Sequence, residues 1–334
     1  MTVDANGISE LELERYYNPD NSIFSSSRKV VAELNAILFL VLATNLFFLV
    51  RYLYQHFILK PIAISYKVRP SYMARFLENG WYSLYYISAF VYGCYLYSQE
   101  NWTLFPTINL WLGWPIQPFN TLYRTYYLLE LAFYLHCTIA IFMETKRKDF
   151  YQMLTHHFAT FFLVGASYWY RYHRIGLVIL WLHNAGDIFL YTAKAINYLQ
   201  KESKNYVMYV TSELLFVLFV IVFFMMRLVF LPSVLVRTSL FEAFYVSTTY
   251  PQFYSTNVCL IVLLFLHMFW FYLILRIIYR KMINGSVEDI RSDSEEDEPT
   301  EKSAKNNHLE AEQTSKHQGV RSKSKQQVQS KKNN

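Results

Sequence analysis

Charge is the scarcest resource in this sequence. Asp, Glu, Lys and Arg make up 17% of its 334 residues, where a soluble chain carries about 25%. Many of those charges crowd beyond Lys281, so the preceding residues are more apolar still. That excludes an ordinary water-soluble globule. The net charge of +6 comes from loops and a basic tail, not from a surface shaped for nucleic acid. Cysteine is nearly absent. Cys94, Cys137 and Cys259 all fall in apolar segments and form no CxxC pair, zinc-type spacing or disulfide framework. Glycine and proline are sparse, with nine of each. No cleavable leader is expected, because the first 35 residues are polar, so the first apolar segment should serve as an uncleaved anchor. What remains is 54% hydrophobic and 19% aromatic, with 29 Tyr and 27 Phe. This is the composition of an all-α, polytopic membrane protein.

A helical span needs about 20 mainly apolar residues. Seven stretches qualify: 34–54, 80–98, 124–143, 151–170, 175–194, 206–228 and 258–279. Only Arg171–Arg174 separate the fourth from the fifth, which predicts a tight helical hairpin. Residues 102–122 are aromatic but broken by Pro106, Pro115 and Pro118, and read as an interfacial or re-entrant loop. Basic residues mark alternate loops: Lys60, Lys67, Arg69 and Arg75 in 55–79, Lys146, Arg147 and Lys148 in 144–150, and Lys201 and Lys204 in 195–205. By the positive-inside rule the N-terminus is lumenal and the C-terminus cytosolic. The sequon at Asn101 then lies in a lumenal loop and is a glycosylation candidate. The tail has a disordered composition, acidic and then basic. Ser286, Ser292 and Ser294 each precede an acidic residue by three positions, which makes them phosphorylation candidates. Lys331 and Lys332 form a dilysine pattern, pointing to the endoplasmic reticulum membrane.

Ionisable groups inside the spans cost about 2.5–3.5 kcal/mol each on insertion scales. Adjacent His156 and His157 lie in the fourth span, and His183, Asn184 and Asp187 in the fifth. Helical rise puts the histidine pair roughly 10–13 Å from the cytosolic end of its span. Asp187, His136 and Glu213 come out at similar depths, giving a layer that opens toward the cytosolic leaflet. A histidine there can act as general base or nucleophile, with a carboxylate fixing its tautomer. Acyl transfer from a thioester to an amine needs little more. His156 and His157 point about 100° apart on a helix, so one is reactive and the other orients or packs. His56 and His267 read as interhelical hydrogen-bonders, and Glu130 as a partner for Arg124 or a tyrosine hydroxyl. A metal centre is not expected: position 153 is Met where an HxxHH box needs His, no second box exists, and HExxH is absent.

Beyond single residues, an ordered series stands out. KRKDF, the histidine pair, RIG, LHNAGDIFL and AKAINYL resemble the Lag1 motif of the ceramide synthases, within the broader TLC fold. WLGWP and YYLLELAFYLH precede it and FVLFVIVFFMMRLVFLP follows it. DIRSDSEEDE looks like the family's acidic segment after its last span. The resemblance covers roughly residues 80–298. It implies an N-acyltransferase of the endoplasmic reticulum that moves a fatty acyl chain from acyl-CoA to the amine of sphinganine or a related long-chain base, giving (dihydro)ceramide. No cofactor is implied, acyl-CoA being a co-substrate. Homo- or heterodimers or a small accessory membrane subunit join the bilayer as expected partners.

The family's paired histidines map onto His156 and His157 and its later aspartate onto Asp187. Glu213 falls where the family often has an acidic residue. Where the family usually has Asp directly after the later histidine, this chain has Asn184, so that position either serves orientation alone or carries a loss of activity. Lys146, Arg147 and Lys148 would attract CoA phosphates at the mouth of the site. On this reading residues 1–33 are a lumenal segment, 34–79 the first span and a cytosolic loop, 80–280 the TLC catalytic domain, and 281–334 a disordered cytosolic tail. The loop 229–257 is the segment the family links to acyl-chain length. Two other readings stay open: a non-enzymatic TLC-fold protein acting in lipid sensing or beside the translocon, and an intramembrane acyltransferase with another amine or alcohol acceptor.

Overall fold

Long helices account for nearly all the regular structure in the computed structural model, which describes residues 22–144, 148–203, 205–246 and 252–284. Helix α1 (Ser22–Tyr54) passes through a wider π turn, Gln55–Leu59, into α2 (Lys60–Ser65). Then follow α3 (Pro70–Ser98), α4 (Thr121–Met143), α5 (Phe150–Trp169) and α6 (His173–Ser203). Helix α7 (Tyr206–Phe223) continues as π-type helix through Phe224–Val236 and Thr238–Glu242 into α8 (Ala243–Val246), and α9 is Phe253–Asn284.

Five stretches are long and apolar enough to cross a membrane: Val31–Ser65, Thr121–Met143, His173–Lys201, Tyr206–Val246 and Phe253–Ile283. Helices α3 and α5, of 29 and 20 residues, lie over the other two sequence-predicted spans. The outward faces are apolar, as a multi-pass helical membrane protein requires. Leu34, Leu38, Leu42, Leu46, Leu49 and Leu53 form an exposed stripe along α1. So large an apolar surface is untenable in water and suited to lipid.

Burial is concentrated in α4. Tyr126, Tyr127, Leu131, Ala132, Phe133 and His136 are essentially inaccessible. Around it α1 and α5 pack against α4, α3 packs along α6, and α6 along α7. Asn120 starts α4 by accepting the Tyr123 backbone N–H at 3.0 Å, and Asn205 starts α7 by accepting that of Val207 at 2.9 Å. Residues between α3 and α4 form one 3₁₀ turn, Thr107–Leu110, flanked by buried Trp102, Trp111 and Trp114, in keeping with the loop expected there. That loop is latched to the far end of the long seventh helix. Glu242 accepts hydrogen bonds from Thr107 and Thr238 and pairs with Arg237 at 2.7 Å.

Three sequence-predicted loops are mostly helical instead. In 55–79 only Tyr66–Arg69 breaks the helix: Lys67 takes a left-handed conformation (φ 56°) and Pro70 stands at the first position of α3, where its missing N–H costs nothing. In 195–205 helix α6 runs on to Ser203. In 229–257 the helix continues to Val246, with the π segment spanning Pro232. Basic and polar residues mark where a chain leaves lipid, and a helix can continue well past that point.

Residue contacts group the chain into two compact units. The larger holds the helices up to Glu144 and from Phe150 to Ile274, and among the described residues every site candidate discussed below except Lys148 belongs to it. The smaller takes the last turns of α9, from Leu275, with Lys148 and Asp149.

Candidate active site

Helix α5 presents a polar stripe to the interior. His156, Thr160, Leu163 and Ser167 recur at three- and four-residue intervals and so share one face. Thr160, Leu163 and Ser167 line a small, mostly apolar cavity of about 40 Å³, completed by Tyr127 and Tyr134 of α4, Gly176 and His183 of α6, and Leu263 of α9. Its ends follow from helix direction. His183 is at one end, and Gly176, roughly 10 Å away along α6, is at the other with Tyr127 and Ser167. That end is tightly closed, since a side chain on Gly176 would collide with the Tyr127 hydroxyl and with Ser167.

His156 is half-buried at the polar end. Its ring lies 6.3 Å from that of His267 and 5.3 Å from that of Trp270, both on α9. His157 is buried and turned toward Tyr134, with ring centroids 6.3 Å apart. The hundred-degree offset of consecutive residues thus sends the two histidines to different neighbours. His183 is held by its own helix: Nδ1 lies 2.7 Å from the Ile179 carbonyl oxygen. A carbonyl only accepts, so Nδ1 carries the proton and Nε2 keeps its lone pair. Nε2 has no hydrogen-bond partner among the described residues, nor does His156 Nδ1. The tautomer is therefore set by main chain, where sequence reasoning had assigned that task to a carboxylate.

The carboxylates are engaged elsewhere. Asp187 pairs with Arg227 at 2.8 Å, and the same guanidinium nitrogen donates to the His183 carbonyl at 2.9 Å. Arg227 is buried, stands over the Phe223 ring, and falls in the π-helical stretch that follows α7. Wider turns of this kind recur at functional sites. Sequence reasoning passed over Arg227, although a cation in the middle of VIVFFMMRLVF is an intramembrane charge of the sort that carries function. The sequence gives His267 a structural role; its ring is 4.9 Å from that of His183.

Asn184 points to the other side of α6. Its Nδ2 donates to Glu130 Oε1 at 3.1 Å while the Tyr85 hydroxyl donates to Oε2 at 3.0 Å. Glu130 thus takes a tyrosine partner, one of the two options the sequence offered, together with Asn184. The amide serves as a donor, and the position needs no charge. Two carboxyls at this separation would keep one proton between them, so Asn184→Asp preserves the donor and is expected to retain activity within a few fold. Asn184→Leu, of similar branching, leaves Oε1 of the buried Glu130 without its donor and should be inactive. Initial rates of product formation for the two variants check both outcomes.

Other sequence candidates lie apart from the histidines. His136 is enclosed by Phe47, Phe48, Trp81 and Phe133, on the side of α4 facing α1 and α3. Glu213 is half-buried on α7, about 21 Å along the helix axis from Arg227. Asp187 stands fourteen residues from either end of the apolar stretch His173–Lys201, so it is central in its span. Lys148 and Asn101 are exposed. Lys146, Arg147, Ser286, Ser292 and Ser294 lie outside the described residues. Among the described residues no group of three or more His, Cys, Asp and Glu is placed to hold a metal ion.

With this geometry in place, comparison with known sequences defines the class. Residues 75–276 match the TLC domain family, and the chain belongs to that family. Among its relatives, ceramide synthase 4 of Mus musculus is 37% identical over 229 residues, 68% of this chain and 56% of the mouse protein. Ceramide synthase LOH2 of Arabidopsis thaliana is 34% identical over 247 residues, covering 71% of this chain and 80% of the plant protein. ASC1-like protein 3 of Oryza sativa subsp. japonica is 32% identical over 271 residues, covering 75% and 93%. The matched region spans a little over half the length of the mammalian ceramide synthase 4 proteins, 56–58%.

Proposed function

We propose that this protein is a sphingoid-base N-acyltransferase, a ceramide synthase that joins a fatty acyl chain from acyl-CoA to the amine of sphinganine or a related long-chain base. The observation that carries this reading is His183 at the polar end of an apolar cavity, with His156 one helical turn from the cavity-lining Thr160 and both imidazoles beside His267, in a chain whose relatives are ceramide synthases. The lining of the cavity is apolar, the chemistry an acyl chain requires, and the polar end suits the reacting groups.

In the step we propose, the amine nitrogen attacks the thioester carbonyl carbon while the His156 imidazole takes the amine proton. The C–N bond forms, the C–S bond breaks, and the CoA thiolate leaves and recovers the proton. The same ring serves if the acyl group first passes to imidazole. Arg227 places a fixed positive charge beside the histidines, which favours the negative charge developing on the carbonyl oxygen. This chemistry uses no cofactor. We place the enzyme in the endoplasmic reticulum membrane with seven spans, the N-terminus lumenal and the C-terminus cytosolic. Lys67 and Arg69 in the turn between α2 and α3, and Lys148 before α5, then face the cytosol.

The test is direct. Membranes containing the protein, supplied with acyl-CoA and sphinganine, should form the N-acyl product detected by mass spectrometry. Cells lacking it should lose ceramide and accumulate free long-chain base. Absence of amide in the first measurement, or unchanged ceramide and long-chain base in the second, removes this reading.

A further inference from the structure

His267 is fully buried on α9, yet neither of its ring nitrogens has a hydrogen-bond partner among the described residues. Such a group is anomalous. A neutral imidazole offers one donor and one acceptor, and buried polar atoms in folded proteins are almost always paired. It is not alone. His156 Nδ1, His183 Nε2 and Thr160 Oγ1 are also buried without a partner among the described residues. The His267 ring sits 4.9 Å from that of His183 and 6.3 Å from that of His156. Three helices thus bring unsatisfied donors and acceptors together around His183, which lines the polar end of the cavity, and a polar ligand there would complete them.

Resting on the acyltransferase reading above, we infer that His267 binds the amino-alcohol head of the long-chain base, by hydrogen bonding to a hydroxyl beside the amine. A hydroxyl can donate to the lone-pair nitrogen of the neutral ring or accept from its N–H, so it meets whichever unpaired atom it reaches. The attacking amine needs its lone pair free and makes a poorer match. His156 handles the amine proton, and His267 fixes where that amine sits.

The experiment compares sphinganine with a 2-aminoalkane of the same length that lacks both hydroxyls. Wild type should prefer sphinganine in kcat/KM by at least about tenfold, because a site built to hydrogen-bond a hydroxyl rejects the analogue without it. His267→Phe should use the two amines about equally, through a raised KM for sphinganine and with KM for acyl-CoA unchanged. His267→Gln, which keeps a donor and an acceptor, should retain much of the preference and covers the case in which the Phe variant fails to fold. If His267→Phe, or in that case His267→Gln together with wild type, leaves the preference of a non-binding site (both amines used alike in wild type, or the wild-type ratio kept in the Phe variant), the inference is wrong. Binding of an eight-carbon sphinganine and its hydroxyl-free counterpart to purified protein reads the same contact without turnover. A wild type that binds the amino alcohol preferentially and makes no amide therefore removes the acyltransferase reading alone.

Discussion

His156→Ala is expected to lower amide formation by about 10²–10⁴-fold, the usual contribution of a positioned general base. That corresponds to roughly 3–5.5 kcal/mol of transition-state stabilisation. The expectation rests on direction as much as on residue type. His156 shares its helix face with the cavity-lining Thr160, Leu163 and Ser167, and meets the rings of His267 and Trp270. His157 is turned toward Tyr134. His157→Ala should accordingly cost clearly less, chiefly through lost packing. Rates with saturating acyl-CoA and sphinganine decide the matter, and a larger loss at His157 would reverse the assignment of the two rings.

Arg227→Met should destabilise the fold by about 3–5 kcal/mol, the cost of leaving one member of a buried ion pair without the other. Asp187 would lose its 2.8 Å partner and the His183 carbonyl its donor, both within the helical bundle. Adding Asp187→Leu removes the stranded carboxylate, and replacing a buried pair by apolar groups is often neutral or stabilising. The double variant should therefore recover most of the thermal stability measured in detergent while remaining inactive, because the fixed charge beside the histidines is gone. Recovery of activity along with stability would show that the pair serves only to hold α6 against the helix carrying Arg227. Failure of the double variant to regain stability would show that the coupling lies elsewhere.

Much of this site could be read before any coordinates. The histidine pair and the His183–Asp187 segment were conspicuous because ionisable side chains are costly in lipid, and the ordered motifs around them narrowed the chemistry. Partners were less legible. Depth alone grouped His136 and Glu213 with the histidine pair. Yet His136 turns into an aromatic enclosure against α1 and α3, and the antiparallel register set by Asp187 and Arg227 leaves Glu213 several turns away. Depth constrains one coordinate, while helix rotation and register set the others. Helix ends were misjudged for a related reason: hydropathy marks where lipid stops, and α2, the end of α6 and the π-helical extension of α7 continue past those marks. Asn184 looked like a defect in the sequence. Its contact with Glu130 is a long-range pairing that no local pattern reveals.

The bond from His183 to the Ile179 carbonyl has a consequence for genetics. Every residue at position 179 compatible with the helix supplies the same carbonyl, so a mutational scan would score 179 as tolerant apart from its cavity-facing bulk. The contact that decides which nitrogen of His183 holds its proton is thereby hidden from side-chain replacement and sheltered from drift. Exposing it takes a change in the backbone itself. Replacing the peptide carbonyl of Ile179 by a weaker acceptor, through an ester linkage at position 180, would loosen the tautomer while leaving every side chain in place.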